Sequence, residues 1–254
     1  LLESGALRSQ RGGGWATISS HSAVPQVDRA AALVSSGRLH LLSTVTRDAL
    51  CAGAVLGRQF TLQHAAAIAK LEVVAAHEAL AIAEQRDLVW SPSEDSYAFV
   101  HDLVREALLS EMTPDDVRRR HRDAADAIRT SDPTSVFDLA YHLDAAGAHE
   151  LALPYALESV RLAYERHAVD LAEQNCVIAL RGASDAVVTR DVHEMLGTLL
   201  MLRGEYPAAK EHLAIAATSA DDQADIQRRI RRKQAELAMR EGDLALAGET
   251  LEGL

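Results

Sequence analysis

Aromatic side chains are scarce in this chain: Phe, Trp and Tyr make up 4% of its 254 residues. Alanine is abundant and 48% of the residues are hydrophobic, which argues against a β-sandwich and for closely packed helices. Lysine is scarcer still. The three lysines are followed by Leu71, Glu211 and Gln234, so no Gly-Lys-Ser/Thr phosphate loop is present. The two cysteines, Cys51 and Cys176, have no CxxC or Cys/His ligand spacing and read as reduced thiols, Cys51 in a helix core. Apolar runs fall short of the ~18 residues that span a bilayer. A charged-then-apolar leader is also lacking, so no membrane partner is expected and the expected compartment is the cytoplasm.

Catalytic signatures are missing too. There is no Gly-x-Ser-x-Gly and no His-Glu-x-x-His, and the eleven histidines are scattered without metal-ligand spacing. Neither an enzyme centre nor a metal site is expected. The net charge of −11 argues against the chain as a whole being a nucleic-acid binder.

What is present centres on residues 97–112. Tyr97 and Phe99 share one strand face, and Leu103, Ala107 and Leu108 follow at helical spacing. His101 and Asp102 stand between the two patterns, where a new helix exposes unpaired N–H groups. Asp102 suits a cap or first turn, since a carboxylate accepts from those donors and faces the positive end of the helix dipole. His101 is either a junction histidine bonded to nearby backbone or a phosphate contact.

Before this junction, Leu7-Arg8 and Trp15 to Ile18 read as paired strands around the Arg11–Gly14 turn, and a helix end is expected at Gly5. Ser19 to Val27 reads as a linker and Asp28 to Leu42 as a helix. Thr46 is expected to cap a helix over Arg47–Leu56 that Gly57 ends, and Thr61 to cap a third helix ending near Ile68. A fourth, from Leu71 to Gln85, is expected to turn Val74, Ala81 and Ile82 inward. Leu88 to Trp90 and Tyr97 to Val100 then form a β-hairpin. Three helices followed by a two-stranded wing predict a winged helix-turn-helix domain.

After the junction, Thr113 caps and Pro114 opens a helix reaching about Arg129. Arg118 to Arg122 alternate with acidic residues and read as a solvated face. Helix pairs follow. Leu196-Gly197, Gly204, Tyr206, Ala209, Leu213 and Ala216 resemble the tetratricopeptide pattern, repeated by Gly242, Leu244, Ala247 and Leu251. Gly147, Ala152 and Ala156 echo it, as do Ala172 and Ala179, but the gap from Ala152 to Ala172 is too short for a full repeat. The first units are therefore expected to be irregular. The basic run Arg228 to Lys233 reads as a solvated or partner-binding face.

Residues 54–62 (AVLGRQFTL), 99–108 (FVHDLVREAL), Arg118-Arg-Arg-His121 and Leu139-Ala-Tyr-His142 occur in a telling order. Together they resemble the middle of large bacterial signal-transduction ATPases of the STAND class, LuxR-type transcriptional regulators above all. The resemblance implies a mainly α fold divided into three parts. Residues 1–27 would end the ATPase lid and form a linker, 28–112 a winged helix, and 113–254 a truncated tetratricopeptide-like α-helical array.

ATP or ADP would bind an upstream ATPase domain, and DNA would be met only through a C-terminal domain beyond this chain. A protein partner or small-molecule inducer would sit on the repeats, and the activated parent would oligomerise. In related switch ATPases a Met-His-Asp motif places its histidine on the ADP β-phosphate. Val100-His101-Asp102 matches it with Val for Met, which assigns nucleotide sensing to His101 and Asp102. Two alternatives remain at this stage: the same module fused to a cyclase or kinase, and a nucleotide-independent tetratricopeptide scaffold.

Overall fold

In the computed structural model the described residues are 7–9, 15–17, 39, 41–219 and 224–252. They form a mainly helical chain of twelve helices with a small three-stranded antiparallel sheet. Strands β1 (Leu7–Ser9) and β2 (Trp15–Thr17) pair antiparallel, as their flanking of a glycine turn predicts. The expected stop at Gly5, the linker over 19–27 and the helix over 28–42, apart from residues 39, 41 and 42, lie outside the described residues.

Helix α1 (Thr44–Leu56) begins one turn earlier than its periodicity suggests. Ser43, not Thr46, is its cap: the Ser43 hydroxyl accepts from the Thr46 N–H at 3.1 Å. Thr46 is instead buried in the first turn, its hydroxyl 2.9 Å from that of Ser43. Gly57 ends the helix with φ of 138°, a value that glycine adopts freely. Strand β3 (Gln59–Thr61) follows and was not foreseen; three residues are too few to display a period of two. Thr61 then caps α2 (Leu62–Ala69), accepting from the His64 N–H.

Helix α3 (Val73–Gln85) corrects the expected inward face. Val74 and Ile82 are exposed, and the buried stripe is Ala76, Ala79, Leu80 and Ala83. That stripe keeps the i, i+3, i+4, i+7 rule with smaller side chains, so the helix packs close. Strands β4 (Val89–Ser93) and β5 (Ser96–Phe99) form the hairpin, and β5 lies central in the order β3-β5-β4. Phe60 faces Tyr97 across the β3–β5 pair, with ring centroids 6.1 Å apart, and Phe99 at 5.4 Å. The Phe60 ring also rests on α1 at Gly53, where an added Cβ would lie 2.5 Å from the ring. This is the first core. It gathers most of its aromatic area from those three rings.

Helix α4 (Asp102–Glu111) buries Val104 and Leu108 on the same core. Thr113 and Pro114 open α5 (Pro114–Ser131) as expected. This helix joins two cores through neighbouring residues, for Ala124 belongs to the first and Ala125 to the second. Arg118 and Arg119 are exposed, each paired with an aspartate three residues earlier. Arg120 departs from the expected solvated face. It is buried and bonds the Asp48 carboxylate of α1 at 2.7 Å.

The remaining helices stack in sequence: α6 (Val136–Ala145), α7 (His149–Glu165), α8 (Val169–Gly182), α9 (Ala186–Arg203), α10 (Tyr206–Thr218), α11 (Ala224–Glu241) and α12 (Leu244–Glu252). Four of their corners are built alike. Gly147, His167, Gly204 and Gly242 take φ of 75°, 58°, 80° and 85°. At each corner that residue's N–H bonds the carbonyl three back, and the next N–H bonds the carbonyl five back. This is the Schellman closure of a helix end, which favours a left-handed residue.

Five, nine and twelve residues beyond each corner stand Ala152, Ala156 and Ser159; Ala172, Cys176 and Ala179; Ala209, Leu213 and Ala216; then Ala247 and Leu251. All but Leu251 are buried, because here each helix meets the one before it. From His167 to Gly204 to Gly242 the spacing is 37 and then 38 residues; between Gly147 and His167 it is 20. The short gap has a simple cause. Helix α7 follows one corner and precedes the next, so it serves as the second member of one pair and the first of another.

Candidate functional site

The residues singled out in the sequence lie at the mouth of α4. His101 is the N-cap residue, with extended φ and ψ of −135° and 139°, and its carbonyl accepts from the Val104 N–H at 3.0 Å. Its side chain is exposed and makes no cap hydrogen bond, so it is not a junction histidine bonded to the helix start. Asp102 is the acidic first-turn residue expected from the dipole. Its carboxylate is also exposed and lies 3.7 Å from Arg58 Nε, a loose surface pair. Arg105 turns inward instead, its Nε donating to the Ala54 carbonyl at 2.8 Å and tying α4 to α1. The result is an exposed imidazole beside unpaired helix N–H groups, with one cation and one anion flanking them. Such a mouth can accept an anionic group.

On the array, a groove of about 260 Å³ opens between α7 and α9 over α8. Leu157, Val160, Tyr164, Val192 and Met195 line it, with Cys176 at its floor. Burial pushes the Cys176 thiol up to about 12, so it stays protonated and offers no nucleophile. A second cleft, of about 430 Å³, lies between α2 and α5 and is lined by Gln63, His64, Asp123 and Asp126 among others. Arg129 stands 2.6 Å from Asp126, whereas Lys70 comes only within 3.7 Å of the buried Asp123 Oδ2, which has no hydrogen-bond partner.

Three constellations escaped sequence reasoning. His121 of α5 and His142 of α6 meet Nδ1 to Nδ1 at 2.9 Å in a buried site edged by Tyr141. Burial pushes His121 down to about 4, helped by the Arg105 charge. Burial likewise takes His142 to about 3, with His121 and His64 adding to it. Both rings are neutral at pH 7, and one Nδ1–H donates to the other Nδ1. His193 of α9 and His212 of α10 repeat the contact at 2.8 Å, half-buried.

The third constellation explains part of the basic run. Arg229 holds the buried Glu194 carboxylate through two nitrogens, at 2.9 and 2.6 Å, and Lys233 Nζ stands 2.9 Å from it. Burial works against the Glu194 charge, yet these hydrogen bonds outweigh it and hold the carboxyl below its ordinary value. These partners lie 35 and 39 residues away in sequence, on a different pair of helices, which no local spacing reveals. Only the His193–His212 pair had a usable signal. His193 stands eleven residues before the Gly204 corner and His212 eight after it, positions that face each other across a helix pair.

Among the described residues no group of three His, Cys, Asp or Glu side chains could hold a metal ion, and no helix is long and apolar enough to cross a membrane. No family model, curated protein or solved structure matches this chain.

Proposed function

We propose that this chain is the regulatory and signal-sensing part of an ATP-dependent bacterial transcriptional regulator of the STAND class, LuxR type. The observation that carries the reading is one of order. Helix, strand, two helices and a hairpin over residues 44–99, with β5 central, run directly into His101-Asp102 and then into stacked helix pairs. We read the first unit as a winged helix. The second we read as tetratricopeptide-like, since Gly197, Gly204, Ala209 and Ala216 keep that pattern's small residues at buried or corner positions.

In this reading the mouth of α4 faces a nucleotide-binding domain of the same longer protein. His101 and the first N–H groups of α4 contact the ADP phosphates there, while Asp102 sets the approach. The winged helix gates the switch and does not read DNA, and its chain contributes no catalytic residue. A small-molecule inducer or protein partner takes the groove between α7 and α9. Its binding shifts the balance toward an open, ATP-bound, oligomerising state, because it binds that state better. Transcriptional output passes through a separate DNA-binding domain, in the cytoplasm.

Two steps test this. The coding DNA on either side of the segment is read first; a Gly-Lys-Ser/Thr loop upstream is the expected result, and open reading without one ends the proposal. His101→Ala is then introduced into the longer protein and release of a fluorescent ADP analogue is timed. Faster release supports the lock, and an unchanged rate with unchanged basal activity removes it.

A further inference from the structure

We propose that His193 and His212 form a two-histidine site for a divalent transition ion of the zinc–copper type. The argument is geometric. The two Nδ1 atoms are 2.8 Å apart, ring centroids are 5.1 Å apart, and the ring planes differ by 28°. A hydrogen bond of this kind points one ring's N–H straight at the other's lone pair. If the donor ring carries its proton on Nε2 instead, the two Nδ1 lone pairs face each other across the gap, and no proton has to leave the pair.

An imidazole nitrogen binds zinc at about 2.0–2.1 Å, and a tetrahedral angle then sets two such nitrogens about 3.3–3.4 Å apart. The rings need to part by roughly half an ångström and to tilt by about 35° each so that both lone pairs meet beside the N···N line, a χ adjustment at the edge of a rotamer well that two metal bonds can offset. Their supports cannot drift. Leu213 packs over Gly197 so closely that a Cβ there would lie 2.6 Å from the Leu213 Cγ, which fixes the α9–α10 spacing. Imidazole suits zinc and copper among the divalent ions.

The other histidine pair shows what a closed version looks like. His121 and His142 have nearly the same separation, 2.9 Å, but are only 5% and 2% exposed, and the Arg105 charge bears on His121. A hydrated cation can reach the first pair and not the second. Glu194, next to His193, is held by Arg229 and Lys233 and cannot become a third ligand. Water therefore fills the remaining positions, and the ion is exchangeable. The inference is independent of the nucleotide-switch reading.

The chain is stripped with EDTA, then titrated with Zn²⁺ by calorimetry and with Cu²⁺ under electron paramagnetic resonance. One equivalent binds, the melting temperature rises with added Zn²⁺, and the Cu²⁺ spectrum shows coupling to two nitrogens. His212→Asn weakens binding by about tenfold or more, since it removes one of two protein ligands. Joint replacement of the exposed His77 and His101 by Asn leaves it unchanged. If His212→Asn alters the circular dichroism of the EDTA-treated chain, His193→Gln takes its place. Equal affinity in wild type and variant, loss of the site in the His77/His101 control, or a Cu²⁺ spectrum with fewer than two nitrogens overturns the proposal.

Discussion

The region over residues 44–112 and the helix array after it bury their side chains by opposite means. The first closes around three aromatic rings, Phe60, Tyr97 and Phe99, brought together from strands far apart in sequence. Thr46 is its one buried polar side chain among the described residues. The array stacks alanine faces on their sequence neighbours. It buries Arg120, His121, His142, Ser159, Asn175, Arg190 and Glu194, each on or after α5. A ring cluster fills a closed space and tolerates little polarity. A stack only one or two helices deep keeps each layer near water, so a buried charge can find its partner on the next layer, as Glu194 does with Arg229 and Lys233.

Four experiments can break or sharpen that contrast. Phe99→Ala should have the largest effect, about 3–5 kcal/mol in urea denaturation, because the ring is fully buried among its neighbours. The two cysteines give separate readouts. Cys51 lies in the first core and Cys176 in the array, and both thiols are buried and pushed up, to about 11 and about 12. In Phe99→Ala, Cys51 should become reactive to a thiol reagent at lower urea than Cys176. Simultaneous exposure would mean that the two cores unfold as one.

Gly182→Ala should come next, at about 1–3 kcal/mol by overpacking. Its new Cβ would meet the His149 carbonyl oxygen at 2.2 Å, a backbone atom that cannot swing aside. Here the order of the cysteines should reverse, with Cys176 exposed first. Labelling of Cys51 ahead of Cys176 in this variant would show that the array borrows its stability from the first region.

Acid should then strike the junction. His121 and His142 are neutral in the fold, with values near 4 and 3, against 6.5 for a free imidazole. The unfolded chain binds more protons below pH 6.5, so stability is fully present above that pH and falls as pH drops toward 4 and then 3. Unfolding free energy measured from pH 7 to 4 should decline, and less steeply in a His121→Asn/His142→Asn double variant. Parallel curves would place the acid sensitivity elsewhere. The smallest effect should be a gain: His167→Gly relieves a left-handed residue with φ of 58° and should add up to about 1 kcal/mol, read as a higher melting temperature.

The same contrast decides what could be read from residues alone. Thr61, Gly57, Thr113-Pro114 and Gly204 act within one turn of where they stand, and each caps or ends its helix as local chemistry requires. The face of α3 was misjudged because the larger apolar residues, Val74 and Ile82, are outside while alanines are inside. Size is a poor guide where helices pack close. At the candidate site, the placement of His101 and Asp102 at a helix mouth was legible from the switch between periods of two and 3.6. The His121–His142 pair and the Glu194 clamp were not, since they depend on which helix faces which, and that is set by corners and not by spacing within a helix.

Helix α7, shared by two corners, also limits how the chain can be lengthened or shortened. From His167 onward the corners recur at 37 and 38 residues, so one more helix pair of that length would keep the corners in step. Before His167 no such unit exists. Any duplicated segment there would have to split α7 or give it two successors, and the stack would lose its seam with α6. In growth by tandem duplication, the end nearest α5 is the fixed foundation and the far end is the one free to vary.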